Sequence, residues 1–333
     1  MKSNLNIVED TDKFPYSYDN GETCTITRLP DGIYSLVWQD DKGVYTIGYL
    51  LERVLDRLED VPESVRGPME VSRRNKTVSL FLLDTEPERT TTAANLAAYW
   101  RSHETFKLLQ GWRNELWPVY GRNGELLFSM ERAAIGLLGT MQYGVHMTAY
   151  IEEPSAPNGM LIWVPKRAAN KPTFPGMLDN TVAGGLMTDE NPFECVIREA
   201  DEEASLPEDV VRENACSAGM ITYIYITDEK NVGEADFVYP ECQWVYDLKL
   251  PARIIPQPKD GEVEQFTLCD VNQVKRELAN GKFKDSCATV MLDFFIRHGI
   301  ISRDNEPDFD AIRQRMHRVL PLPGPHQASW RRL

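Results

Sequence analysis

The chain has 333 residues, 42% hydrophobic and 26% charged, a length and balance that suit a soluble globular protein of about two domains. Its formal net charge of −15 gives no electrostatic footprint for long-range nucleic-acid binding, so no nucleic-acid partner is expected. No apolar run approaches the roughly 18 residues needed to span a bilayer, which argues against a membrane partner. Met1 to Glu22 lacks a signal or transit pattern, and the six scattered cysteines form no Cys-x-x-Cys pair, so a cytoplasmic, reducing setting is expected.

In chain order, residues 1–25 read as a flexible, acidic N-terminus. Residues 26–143 read as a smaller α+β domain serving substrate recognition or dimerisation. Within it, Ile33–Trp38 and Val78–Leu82 alternate like strands and flank a helical segment near Tyr49–Leu58. Thr90–Thr92 precedes a helix over Ala93–Leu109, stopped by Gly111. Leu116–Tyr120 and Leu126–Met130 form a hairpin across Asn123-Gly124, and Glu131–Leu138 is a short helix ended by Gly139.

Residues 144–320 form a second domain, with strands at Met147–Ile151, Met160–Val164, Met220–Ile226, Gln243–Leu248 and Val263–Leu268. Asn191 as N-cap, Pro192 and Glu194 start a central helix. Its Val196, Ala200 and Ala204 form a small apolar stripe for the core, leaving its acids pointing out. Helices follow at Val271–Asn280, Ser286–His298 and Phe309–Val319, before a Pro-rich, basic tail at 321–333. Strands on both sides of one helix, with further helices at the end, predict a mixed α/β sandwich.

The informative stretch is 184–206. Glu199, Glu202 and Glu203 stand at i, i+3 and i+4, which stacks three carboxylates on one helical face. Like charges at those spacings repel, and exposed helices ordinarily mix signs, so the pattern points to a hard divalent cation with oxygen ligands. The spacing from Gly184 through Glu190 to Arg198-Glu199 and Glu202-Glu203 resembles the Nudix box, Gly-x5-Glu-x7-Arg-Glu-U-x-Glu-Glu-x-Gly-U with U apolar; Ser205 stands in place of the last Gly. The resemblance implies a Nudix α/β/α sandwich with a mixed sheet, preceded by the smaller α+β domain, and an enzyme that cleaves diphosphates with Mg²⁺ or Mn²⁺.

The resemblance also assigns roles. Glu199 and Glu203 are first-choice metal ligands, with Glu202 joining for a second ion and a carbonyl of Ala183 or Gly184 completing the shell. Arg198 pairs with Glu190 or Glu202 and fixes a carboxylate rotamer. Glu190 braces the loop, and Asp201 is a solvated acid off the metal face. The general base is either a box glutamate or an acid beyond the box, Glu264 or Glu262, each equally readable as a plain surface acid. Lys166, Arg167 and Lys171 are candidate contacts to the outer phosphate, or else a solvated loop.

Phe106–Glu115, Glu131–Ala134, Tyr143–His146, Pro175–Gly185 and Asp260–Phe266 resemble the thiamin-pyrophosphokinase-related group of Nudix proteins. That group implies hydrolysis of thiamin diphosphate-like compounds, oxidised or damaged, to monophosphates. Trp112, Trp117, Tyr143 and His146 are candidates to stack on such a head group, although each is more often a core residue. The partner expected is therefore a small-molecule diphosphate, with a homodimer possible. The alternatives are a nucleotide-type hydrolase acting on ADP-ribose or a dinucleotide, and a non-catalytic Nudix ligand-binding module.

Overall fold

The computed structural model describes residues 1–15, 29–228 and 234–327, and the backbone of a strand pair, Ser17–Asp19 against Thr23–Thr25. The expected domain start at residue 26 and the end of the tail, 328–333, lie outside the described residues.

The chain starts with a helix, α1 (Asn4–Thr11), where a flexible N-terminus was expected. Ser3 and Asn6 cap one another reciprocally, with Asn standing where such a box ordinarily shows Glu or Gln. Ile7 and Val8 are buried in the core of the second unit, and buried Asp12 accepts hydrogen bonds from Arg318 Nε (3.0 Å) and Arg315 Nη1 (3.2 Å). Two apolar side chains and an ion-paired acid hold this segment down, despite its polar composition.

The first unit holds strands β1 (Ile33–Asp40), β2 (Gly43–Leu51), β3 (Glu70–Ser72) and β4 (Thr77–Ser79) in the order β2-β1-β4-β3, with β1 and β4 parallel. Helix α2 (Glu52–Glu59) follows β2 directly, so Tyr49 to Leu51 belong to the strand and not to the expected helix. Helix α3 (Glu86–Ser102) starts earlier than expected because Thr85 and Glu88 form a capping box. Leu55, Leu58, Leu96 and Trp100 bring both helices onto one core. The Asn-Gly hairpin is present as β5 (Leu116–Tyr120) and β6 (Leu126–Glu131).

The second unit contains β7 (Gln142–Glu152), β8 (Met160–Arg167), β9 (Val182–Gly185), helices α4 (Pro192–Ala204) and α5 (Glu208–Asn214), then β10 (Ala215–Ile226), β11 (Val238–Lys249) and β12 (Val263–Asp270). The sheet order is β10-β11-β7-β8-β12, with β9 pairing β7; β11 runs parallel to β7 and the other pairs are antiparallel. Helices α6 (Val271–Ala279), α7 (Asp285–Arg297) and α8 (Phe309–Met316) cover one face, where Ile162, Val164 and Ile221 meet Phe294, Phe295 and Met316. Helix α4 covers the other, where Val145, Met147 and Leu248 meet Val196, Ala200 and Ala204. Strand alternation drives the division: Val245 joins the first core and Tyr246 the second. This is the expected α/β/α arrangement around a mixed sheet. The start of the expected tail is packed chain, because Leu322, like Leu320 just before it, is buried in the α4-side core. Among the described residues, no helix is long and apolar enough to cross a membrane.

Candidate active site

Helix α4 is launched where the sequence places it: the Asn191 side chain accepts the Phe193 N–H at 2.8 Å and Pro192 occupies the first helical position. The apolar stripe is buried, yet the acids do not all point to solvent. Glu203 is only 8% exposed, and its Oε2 accepts the backbone N–H of Ala183 on β9 at 3.0 Å. Glu199, one turn earlier, presses on the next residue of β9. A Cβ added at Gly184 would lie 2.0 Å from the Glu199 carboxyl carbon, so only glycine leaves room for that carboxylate. Glu202 stays half-exposed and accepts from Arg198 Nη1 at 3.1 Å.

Arg198 organises the acids. Its Nε and Nη2 form a fork on Glu190 (2.7 and 3.0 Å), while Nη1 reaches Glu199 at 2.9 Å as well as Glu202. Glu190 also accepts the Met187 N–H at 3.2 Å, which ties the loop to the helix. Asp201 lies off this face and pairs with Lys259 at 2.7 Å. Ser205 adopts the left-handed conformation (φ 52°, ψ 32°) that ends the helix.

Burial pushes Glu199 up to about 7, against the opposing pull of Arg198. Glu203 is raised well above its ordinary value, first by burial and then by the charges of Glu199 and Asp179. Glu203, buried, and Glu199, partly buried, stand one turn apart, and of these two Arg198 offsets the charge of Glu199 alone. Among the described residues no three His, Cys, Asp or Glu side chains are already gathered into a metal cage. The donor set fits Mg²⁺ or Mn²⁺ as a two-carboxylate site, because Mg²⁺ keeps waters and substrate phosphate as its other ligands. Glu199 and Glu203 would hold it with a carbonyl of Ala183 or Gly184, and Glu202 would join for a second ion.

Beside β9 lies a cavity of about 270 Å³ bordered by Ala183, Gly184, Trp117, Tyr143 and His146. Tyr223, Tyr225, Tyr239, Glu241 and Gln243 also line it. Glu241 Oε2 accepts the Tyr223 hydroxyl (2.7 Å) and the Gln243 amide (2.9 Å). His146 is buried, lies 2.8 Å from Asn180 Oδ1 through Nδ1, and is lowered to about 4 by burial and then by the Lys284 charge. It is therefore neutral at pH 7 and contributes shape and a hydrogen bond, not charge.

Several expected contacts sit elsewhere. Lys166 pairs with Glu264 at 2.9 Å on the surface, Arg167 with Asp179 at 2.7 Å and with the carbonyls of Thr173 and Phe174, and Lys171 with Glu262. None of the three borders the cavity. The β8–β12 register shifts between Lys166 and Arg167 and leaves Glu264 out of the pairing, which turns it to solvent beside Lys166. Glu262 lies deeper and also receives Arg113 Nη1 at 3.2 Å; burial would raise it, but Lys171 holds it below the usual carboxylate range. Trp112 is also displaced. It stacks under Arg101 (4.5 Å) and donates to Asn114 (2.9 Å), while its neighbours Gly111 and Arg113 border the cavity. Sequence reasoning missed Arg113, Arg132, Lys284, Glu241 and the three tyrosines as lining residues. The Tyr223-Tyr225 alternation on a strand was a usable signal, whereas the cations carry no local pattern.

The fold and the site describe a metal-supporting loop–helix on a mixed sheet, with a lined cavity beside it. The Nudix domain family matches residues 145–287, and a domain of unknown function, DUF4743, matches residues 43–142. The chain is 34% identical to the uncharacterized protein YJR142W of Saccharomyces cerevisiae, covering 96% of this chain and 92% of that one. It is 36% identical to the chloroplastic Nudix hydrolase 20 of Arabidopsis thaliana over 63% of this chain and 54% of that one. Nudix hydrolase 24 of the same plant, also chloroplastic, is 34% identical over 70% of this chain and 61% of that one. The chain thus spans under two thirds of the plant proteins' length. The chain therefore carries a Nudix domain preceded by a DUF4743 domain, and Nudix hydrolases are among its homologues.

Proposed function

We propose that this chain is a divalent-metal-dependent hydrolase of the thiamin-pyrophosphokinase-related group, cleaving a thiamin diphosphate-like compound to its monophosphate and phosphate. The observation that carries the reading is the pairing of Glu199 and Glu203 against Ala183-Gly184, next to a cavity lined by aromatic rings and a carboxylate, Glu241. Tyrosine faces attract a cationic or electron-poor heteroaromatic ring, and Glu241 suits a positive or N–H-bearing edge. A cavity of about 270 Å³, just under the usual range for small-molecule sites, favours one compact head group over a dinucleotide.

A bound Mg²⁺ or Mn²⁺ supplies Lewis acidity and an activated water. The chain's own groups do the rest. Arg198 holds Glu199 and Glu202 in fixed rotamers. The proton released by the attacking water goes to a box carboxylate, since Glu264 faces solvent and Glu262 is neutralised by Lys171 and Arg113. Cys195, Cys216, Cys269 and Cys287 are free thiols, in keeping with a reducing compartment such as the cytoplasm. A turnover screen of thiamin diphosphate, its oxidised analogues, ADP-ribose and nucleoside diphosphates, each with Mg²⁺ and Mn²⁺, tests the reading. Preference for ADP-ribose would replace the substrate, and turnover of none would leave a binding module.

A further inference from the structure

The cavity is built by both parts of the chain. A Cβ at Gly185 would lie 2.3 Å from the Trp117 ring, so the hairpin of the first unit rests directly on the strand that leads into α4. Thr188 fastens the contact, donating its N–H to the Leu116 carbonyl (2.8 Å) and its hydroxyl to Ser129 (2.9 Å).

A diphosphate brings two or three negative charges (about, at neutral pH), and a metal ion offsets only part of them. Among the described residues, the cationic side chains bordering the cavity are Lys284 from the second unit and Arg113 and Arg132 from the first. Arg132 lies over the Trp117 ring (5.2 Å) and donates Nη1 to Glu115 (3.0 Å), which fixes its plane. Its Nε and Nη2 have no protein acceptor among the described residues. Glu131, 3% exposed, accepts the backbone N–H of Arg113 (2.9 Å) and of Ala133 (3.3 Å), next to Arg132, and Arg113 Nη1 also donates to Glu262 (3.2 Å). A guanidinium fork held in plane suits phosphate oxygens, and fixing it before binding lowers the ordering cost.

We propose that the domain of unknown function is one wall of the catalytic pocket, with Arg132 binding the substrate's diphosphate oxygens, Arg113 joining it from its exposed pair with Glu262, and Glu131 as the positioning residue that fixes the Arg113 backbone and the turn beside Arg132. This rests on the diphosphate-hydrolase reading above. The chemical class recognised is the diphosphate itself, whatever head group it carries.

The test uses the full chain with Arg132→Gln, Arg113→Gln and Arg132→Lys. Binding of the non-hydrolysable probe imidodiphosphate, with Mg²⁺ present, is measured by calorimetry alongside kcat and KM for the substrate found in the turnover screen. Losing a charge-assisted contact weakens imidodiphosphate binding ~10–100-fold in Arg132→Gln, with a matching rise in KM. Arg113→Gln shows a loss in the same direction, and Arg132→Lys falls between Arg132→Gln and wild type. Should Arg132→Gln fail to fold, the other two variants carry the test. Wild-type affinity for imidodiphosphate in the folded variants, while the unaltered chain binds it, overturns this proposal alone. A wild-type chain that neither binds the probe nor turns over any diphosphate overturns the hydrolase reading, and this proposal with it.

Discussion

The close approach of Gly184 to Glu199 makes Gly184→Ala a sharp perturbation. The new Cβ would lie 2.0 Å from the carboxyl carbon, 2.1 Å from Oε1 and 2.3 Å from Cγ of Glu199. Nonbonded carbon atoms need more than 3 Å (about), so the carboxylate must move by about 1 Å. The obstacle is the far end of a flexible side chain and not backbone, so the fold accommodates the change at a cost of about 1 kcal/mol or less. The metal does not tolerate it, because a 1 Å error in a catalytic group costs about 100-fold, or roughly 2.7 kcal/mol of transition-state stabilisation. Steady-state turnover with Mg²⁺, Mn²⁺ affinity and thermal melting of the same preparation separate the two effects. A folded Gly184→Ala protein with wild-type turnover would show that Glu199 has no part in holding the cation.

Other outcomes follow from the same geometry. Glu199 is raised from an ordinary 4.5 to about 7, so the metal-free folded state binds more protons than the unfolded state between those values, and stability falls as pH rises through that window. A bound cation favours the ionised form, so the Mg²⁺-induced rise in Tm is larger at pH 8 than at pH 5.5, and Glu199→Gln flattens the difference; an equal rise at both pH values in wild type would refute the shift. Ser205 pays the left-handed conformation without being glycine, so Ser205→Gly stabilises the protein by ~0.5–1 kcal/mol in urea melts and leaves kcat unchanged.

Much of the candidate site was legible because several local signals coincide in α4. Asn191-Pro192 starts the helix, Val196, Ala200 and Ala204 give its buried stripe, and carboxylate spacing marks its acidic face, all within a few turns. The reading ran out where placement depends on distant chain. Nothing local distinguishes Lys171, taken up by Glu262, from Arg132, which borders the cavity, because both are basic residues near loops. A one-residue register shift turned Glu264 away, and alternation from one sequence does not reveal a bulge. In the fold, α1 was hidden by an unusual cap, and Leu320 and Leu322 by the prolines around them. The first unit's share in the cavity is a tertiary contact, visible only once Trp117 lies on Gly185.

Glu203→Gln gives the most direct measurement of the whole account. Gln keeps the shape and can still accept the Ala183 N–H, so its melting temperature at pH 7.5 should match or exceed that of wild type. Mn²⁺ binding and diphosphate turnover by that variant should both be lost. A well-folded Glu203→Gln protein that binds Mn²⁺ and hydrolyses substrate like wild type would contradict the claim that this buried acid, with Glu199, holds the catalytic ion.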